Sequence, residues 1–234
     1  METVDKFIKL APQFANMYGT NESSTVTTNF PDDPNRKRRM ASVGFPTAHN
    51  EVKIVDDSGQ TVPTGELGEV WVRTPSCFIG YYKLPDQTAE VKDAHGWYHT
   101  GDIARIDTDG FVYLIGRKSD NLRFKRLGAV VYPGVIEAAA KAHPSVADAK
   151  CIGLYNKDEM GDDICLCVLE RKGHSISEDE LRRHCESQLV GRDHPDYYFI
   201  MESFPRIGAR QKVLKSKLEK IVADLLEKKK ITKE

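Results

Sequence analysis

Two runs of β-forming residues, 103–107 and 111–115, flank Thr108-Asp109-Gly110. Gly110 tolerates the positive φ that a tight reversal requires, so the stretch is expected to close as an antiparallel hairpin. Asp102 stands just before the first run and Arg117 just after the second. A hairpin brings its two ends together, which sets carboxylate and guanidinium side by side. Such a pair closes a hairpin as a salt bridge. It also suits a sugar diol, the carboxylate accepting two hydroxyl protons while the guanidinium donates to ring or phosphate oxygens. Spacing alone leaves both readings open.

The rest of the chain bounds what that hairpin belongs to. Its 234 residues can hold one large domain or two small ones. A hydrophobic content of 40% with 29% charged residues fits a globular protein with a real core. Lys+Arg 34 against Asp+Glu 35 leaves a net charge of −1, which points to neither nucleic acid nor a membrane surface as partner. No apolar run is long enough to span a bilayer, no signal peptide opens the chain, and 231–234 is not a peroxisomal address, so the expectation is a cytoplasmic protein, with an organelle left open. Five cysteines show no metal spacing and no CxxC. Cys165 and Cys167 alternate along an expected strand over 164–170, as core thiols in a reducing compartment would. Cys185 follows His184 in an expected helix, where neighbours diverge by about 100°, so the two do not form a nucleophile pair.

In chain order, 1–17 is expected to carry an amphipathic helix with Val4, Phe7, Ile8 and Leu10 on one face, ended by Pro12. Tyr18-Gly19-Thr20-Asn21-Glu22 sets an aromatic, a flexible glycine and a carboxylate ahead of a polar loop. The basic run 36–39 reads as a solvated part of an exposed loop. Strands are expected over 52–55 and 67–73, with a turn at Asp57-Ser58-Gly59. Beyond residue 119 the pattern turns α+β. Pro133 takes a first helical position, and strands over 147–154, 164–170 and 197–202 alternate with helices. Ser177 and Glu180 have capping-box spacing, with Ile176 and Leu181 as a hydrophobic staple. The last helix aligns Leu214, Leu218, Ile221, Val222, Leu225 and Leu226 on one stripe, and 228–230 suit its dipole without needing a partner.

Tyr98-His99-Thr100-Gly101-Asp102, followed by 109–120 (DGFVYLIGRKSD), resembles the signature of the adenylate-forming superfamily of acyl-CoA synthetases, luciferases and peptide-synthetase adenylation domains. The resemblance implies that Asp102 holds the ribose hydroxyls of ATP, that Arg117 also contacts the nucleotide, and that a hinge lies at Ser119. Residues 18–22 are similar to the family's YGxTE element. Tyr18 then stacks on adenine, Asn21 stands where a Thr touches the α-phosphate, and Glu22 helps to hold Mg²⁺. Read without the family, these five residues are a loop with a solvent-facing Glu. Residues 65–73 and 80–82 resemble a segment of the family's distorted β-barrel. Near the C-terminus, 205–215 is similar to the loop that supplies a catalytic lysine, making Lys212 the candidate, although Gln211 replaces the preceding glycine and the loop is one residue longer. A solvated lysine ahead of a helix is the plain alternative. Arg123 and Gly128 fall in the loop that enters the site for the thioester step.

The implied fold is α+β: a remnant of a large α/β domain over 1–41, a distorted β-barrel subdomain over 42–118, and a small α+β domain with a three-stranded sheet over 119–234. The implied chemistry joins a carboxylate to ATP as an acyl-adenylate, which the thiol of CoA then converts to a thioester. ATP/AMP, Mg²⁺ and CoA are the cofactors. The chain resembles the C-terminal part of such a ligase, and no stretch of it resembles the family's phosphate-binding loop or acyl pocket, so it is expected not to turn over alone. The rival is a non-catalytic AMP- or CoA-binding or regulatory module.

Overall fold

The computed structural model describes residues 15–30, 35–125, 130–208 and 212–231. The helix expected over 1–17 lies, through residue 14, outside them, and Met17 already belongs to a strand. The chain divides into two compact units, Met1–Ser119 and Asp120–Glu234.

In the first unit, β1 (Met17–Thr20), β2 (Ser24–Thr28) and β3 (Phe45–Pro46) form an antiparallel sheet in chain order. A second sheet follows as an antiparallel meander of β4 (Glu51–Val55), β5 (Gly68–Arg73), β6 (Tyr98–Ile106) and β7 (Val112–Arg117). The distorted barrel is not a closed one. Among the described residues β4 and β7 stay unpaired with each other, because four short strands cannot wrap far enough to meet. The β7 edge is covered instead by the segment leading into β3: Val43 N donates to Val112 O and Val112 N to Gly44 O, at 2.9 and 2.7 Å. Tyr18 and Val26 from the first sheet and Ile54, Val70, Val72, Ala104 and Val112 from the second share one buried cluster.

The basic run is a finding of its own. It lies in helix α1 (Arg36–Ala41), not in a loop, with the Asn35 side chain accepting from Arg38 N as an N-cap. Arg38 lies 4.2 Å over the Phe111 ring and pairs with Asp109 at 2.9 Å, so this cation clasps the hairpin turn. Helix α2 (Pro85–Val91) begins on a proline at its first turn.

The second unit opens with a small pair, β8 (Leu122–Arg123) and β9 (Val130–Val131), then α3 (Pro133–Lys141). Its main sheet has the order β10 (Val146–Asn156), β11 (Gly161–Glu170), β12 (Tyr197–Met201). β10 and β11 are an antiparallel hairpin, whereas β12 runs parallel to β11 after the crossover helix α4 (Glu178–Gln188). A two-residue pair, β13 (Arg206–Ile207) and β14 (Lys212–Val213), leads into α5 (Lys215–Ile231).

Because β11 is central, both its faces are buried. Ile164, Leu166 and Val168 pack with Ile136 of α3 and Leu181 of α4, while Cys165 and Cys167 pack with Leu218, Val222 and Leu226 of α5. The period-2 reading of the two thiols therefore holds. Ser177 Oγ accepts from Glu180 N at 3.2 Å, and the staple residues Ile176 and Leu181 are both buried. One lysine at the end of α5 does find partners: Lys229 pairs with Glu178 and donates to Tyr198 O at 2.9 Å. Among the described residues no helix is long and apolar enough to cross a membrane.

Leu181 is fully buried where the staple, α3 and the sheet meet. Leu181→Ala is expected to lose about 2–5 kcal/mol of stability in urea unfolding followed by circular dichroism. A loss below about 1 kcal/mol would show that this position is not packed as described.

Candidate functional site

The site is made by two irregularities in strand pairing. Between β5 and β6, Glu69 faces Ile103 and Trp71 faces His99, so two steps on β5 span four on β6. Thr100, Gly101 and Asp102 thus bulge out opposite Val70. The backbone groups freed there are taken up by side chains. Thr100 Oγ1 donates to Val70 O at 2.8 Å and accepts from Asp102 N at 3.0 Å. Gly101 has φ +69, a left-handed conformation that suits glycine, and its N–H donates to Glu69 Oε1 at 3.1 Å.

Between β6 and β7 a second bulge inserts Ile115: Asp102 faces Arg117 and Ile103 faces Gly116, but Ala104 faces Leu114. Without it, the register of the turn would carry Gly116 opposite Asp102 and move Arg117 to the other face. With it, acid and base are directly opposed on one face. Arg117 Nε lies 2.9 Å from Asp102 Oδ1, and Arg117 Nη1 donates to Thr100 O at 3.0 Å. The other carboxylate oxygen, Asp102 Oδ2, accepts from Tyr18 OH at 2.6 Å. Asp102 is 8% exposed, so these two partners are what make a buried charge tolerable. Burial first, and then the bond to Asp102, hold the Tyr18 phenol well above its ordinary pKa, leaving it a neutral donor.

A cavity of about 610 Å³ opens beside this cluster, lined by Thr20, Glu22, Glu69, Thr100, Arg117 and Lys118 among others. Glu22, in the turn between β1 and β2, accepts from Tyr81 OH at 2.9 Å. Burial pushes its carboxyl up, but hydrogen bonds from Tyr81, its own backbone, Thr20 and Tyr98 outweigh that and hold it below the usual range. On the neighbouring strands Trp71 and His99 stack at 3.6 Å, with Lys53 4.6 Å over the indole.

The residues singled out from sequence fall into three groups. Tyr18, Asp102 and Arg117 are in direct contact, and Glu22 shares the cavity with Arg117. The Tyr18 ring is packed in the core, so its hydroxyl is what reaches the acid. Asn21 is exposed in the β1–β2 turn, and neither it nor Tyr18 nor Asp102 is among the cavity-lining residues. Arg123 and Lys212 belong to the second unit. Arg123 is exposed on β8, its N–H donating to Asp162 Oδ2 at 2.7 Å, and Lys212 is exposed on β14 opposite Ile207. Gly128 lies outside the described residues. Cys185 is buried, which pushes its thiol up to about 11, and His184 Nε2 is bonded to Ala139 O at 3.0 Å, so no thiolate pair forms. Among the described residues no group of three or more His, Cys, Asp or Glu is placed to hold a metal ion.

Glu69, Lys118 and Tyr81 escaped the sequence reading. Glu69 reads as one more residue of a strand; only the bulge opposite it reveals an amide in need of an acceptor.

Residues 1–82 match the family described as AMP-binding enzyme. The mitochondrial medium-chain acyl-CoA ligase ACSF2 of Rattus norvegicus is 33% identical over 204 residues, covering 86% of this chain and 32% of that protein. The medium-chain fatty-acid–CoA ligase of Escherichia coli K12 is 33% identical over 217 residues, covering 90% of this chain and 38% of its own length. The chain therefore spans about a third of the length of the curated relatives it matches. Among solved structures, the amide bond synthetase McbA of Marinactinospora thermotolerans superposes with a TM-score of 0.78 at 33% identity, over 88% of this chain and 41% of that one. The o-succinylbenzoate coenzyme A synthetase MenE of Bacillus subtilis, in complex with AMP, gives 0.74 at 27% identity, over 92% and 42%.

A depressed carboxyl pKa makes a signed prediction. Glu22 titrates lower in the fold than in the unfolded chain, where ~4.3 is usual. Its contribution to stability is thus present above that value and lost as pH falls through the folded value. Tyr81→Phe removes the phenol donor and is expected to raise the Glu22 midpoint in a carboxyl-carbon NMR titration. An unmoved midpoint would show that Tyr81 does not hold this carboxylate.

Proposed function

We propose, proceeding from the membership of this chain in the adenylate-forming superfamily and its AMP-dependent acyl-CoA ligases, that the Tyr18–Asp102–Arg117 clasp holds the ribose of AMP or ATP. The observation that carries the reading is the direct opposition of Asp102 and Arg117 beside a cavity, with each acid oxygen already fixed by one donor. A carboxylate offers roughly four acceptor sites, so two remain for the two hydroxyls of a diol. The guanidinium, 57% exposed, has donors left for ring or phosphate oxygens. The AMP named in the MenE complex is the ligand that such a clasp suits.

In this reading the whole ligase joins a carboxylate to ATP, releasing pyrophosphate, and the thiol of CoA then displaces AMP to leave a thioester. Tyr18, assigned to adenine by the family resemblance, contributes through its hydroxyl by holding Asp102. Asn21 offers an amide donor from the turn beside Glu22. Mg²⁺ is commonly bound by one or two carboxylates together with phosphate oxygens, a role that fits Glu22 because Tyr81 helps to keep it ionised. When bound, that ion supplies charge neutralisation at the phosphates. Lys212 carries the cation for the developing charge of adenylation. Arg123 and Gly128 serve the thioester step. The organisation proposed is a large-domain remnant over 1–41, the open β-sheet subdomain over 42–118 and a mobile domain over 119–234. This chain alone is proposed to bind nucleotide without completing adenylation, since it lacks a recognisable phosphate-binding loop. Gln211 in place of the family's glycine ahead of Lys212 favours, as a second reading, a module that binds nucleotide and regulates without catalysis.

Isothermal titration with AMP tests both. Wild-type chain is expected to bind, and Asp102→Ala to weaken binding by about tenfold or more, since a charge-assisted bond is lost. Equal affinity in the two proteins, or no binding by the wild type up to millimolar AMP, would sink the clasp. Pyrophosphate exchange above background by this chain alone would overturn its proposed inactivity.

A further inference from the structure

We infer that Glu69 is a positioning residue that presets both jaws of the clasp, one carboxylate oxygen holding the backbone ahead of Asp102 and the other the side chain that follows Arg117. The inference rests on the nucleotide reading above and adds to it a residue that contacts neither sugar nor phosphate.

The geometry is specific. Glu69 Oε1 accepts the Gly101 N–H at 3.1 Å, and Glu69 Oε2 accepts from Lys118 Nζ at 3.0 Å. Gly101 immediately precedes Asp102, and Lys118 immediately follows Arg117. One carboxylate of β5 thus ties the bulge of β6 to the residue that follows β7, just beyond the last pair of the β6–β7 ladder, Asp102 with Arg117. The Gly101 amide needs this acceptor because the bulge has removed it from the β5 ladder and its φ of +69 turns it aside. Without that acceptor the half-buried N–H would leave the bulge free to relax, and Asp102 with it.

The charge on Glu69 matters as well as its shape. The residue is 9% exposed, and a buried carboxylate calls for a counter-charge within reach. Lys118 provides that charge: burial lowers its pKa, but bonds to Glu69 and Asp57 more than offset this and hold it above the usual range. Asp57 also reaches Lys118 at 3.0 Å, yet that side chain is 76% exposed and its pair is screened by water. Glu69 is therefore the partner that fixes where Lys118, and so the end of β7, comes to rest. Lys118 stands next to Ser119, the last residue of the first unit.

The test uses the 234-residue chain with Glu69→Ala, the conservative Glu69→Gln, and Glu66→Ala as an exposed control from the same segment. Two readouts are taken: Gly101 amide exchange by NMR, and the ratio of affinities for AMP and 2′-deoxy-AMP by calorimetry. The ratio isolates the diol grip, which a general loss of stability would not change. In Glu69→Ala the Gly101 amide is expected to exchange about tenfold faster, the amount one lost hydrogen bond allows. The preference for AMP over its deoxy analogue should fall several-fold. Glu69→Gln, whose amide oxygen still accepts from Gly101, should restore the slow exchange but only part of the preference, and Glu66→Ala should match wild type. Unchanged Gly101 exchange in Glu69→Ala would overturn the inference, as would an unchanged ratio in a wild type that discriminates. If the wild type binds neither nucleotide, the nucleotide reading fails. The Gly101 exchange then decides alone whether Glu69 holds the bulge ahead of Asp102.

Discussion

A strand that leaves its hydrogen-bond ladder for three residues must satisfy the freed backbone groups by other means, and the first unit is organised around how β6 does so. At Thr100-Gly101-Asp102 the Thr hydroxyl bridges the gap by donating to Val70 O and accepting from Asp102 N. Glycine supplies the left-handed turn, and a buried Glu accepts the remaining amide. Each of these groups left alone would cost about 1–3 kcal/mol, so the motif is a closed set of substitutions for lost ladder bonds. Its product is a single carboxylate pushed out of the strand and held at a fixed angle.

That carboxylate is also where two sheets meet. Tyr18 comes from β1 of the first sheet and Asp102 from β6 of the second, and their 2.6 Å bond joins the turn that carries Glu22 to the hairpin that carries Arg117. Below the bond lies the shared apolar core of Val26, Val70, Val72 and Val112. Packing thus fixes the distance between the sheets, and the polar contact on top of it inherits that precision. Glu22 is treated in the same way, with a tyrosine hydroxyl on the acid and the acid kept ionised. Two carboxylates, Asp102 and Glu22, are therefore each held by a phenol.

Much of this fold could be read in the sequence because it is periodic. The hairpin around Gly110, the alternating Cys165 and Cys167, the Ser177 cap and the apolar stripe of α5 all follow from period 2, period 3.6 or turn chemistry. The two bulges could not be read, since an inserted residue leaves no mark on composition and shifts the pattern by only one or two places. For that reason the pairing of Asp102 with Arg117 was expected from the ends of a hairpin, yet the register that achieves it depends on Ile115. The open sheet, expected as a barrel, turns on which edges meet across the fold, a non-local property. Residues whose task is to serve the bulge were hidden with it, Glu69 above all. The basic run misled in a different way: four cations suggested a solvated loop, but Asn35 starts a helix there and Arg38 is spent on Phe111 and Asp109.

The same irregularities bear on the choice between a salt bridge that closes a hairpin and a clasp for a ligand. Closure alone asks for little. Oppositely charged residues at any non-terminal ladder pair would serve, exposed on both sides and contributing a few tenths of a kcal/mol. Here the acid is buried and the base is more than half exposed, an asymmetry that costs desolvation on one side and gains little on the other. The strand forgoes ladder bonds in two places to achieve it, and a phenol and a second buried carboxylate are committed to holding the result. The arrangement makes sense if the open side of the pair is meant to be completed by hydroxyls and phosphate oxygens from outside the chain.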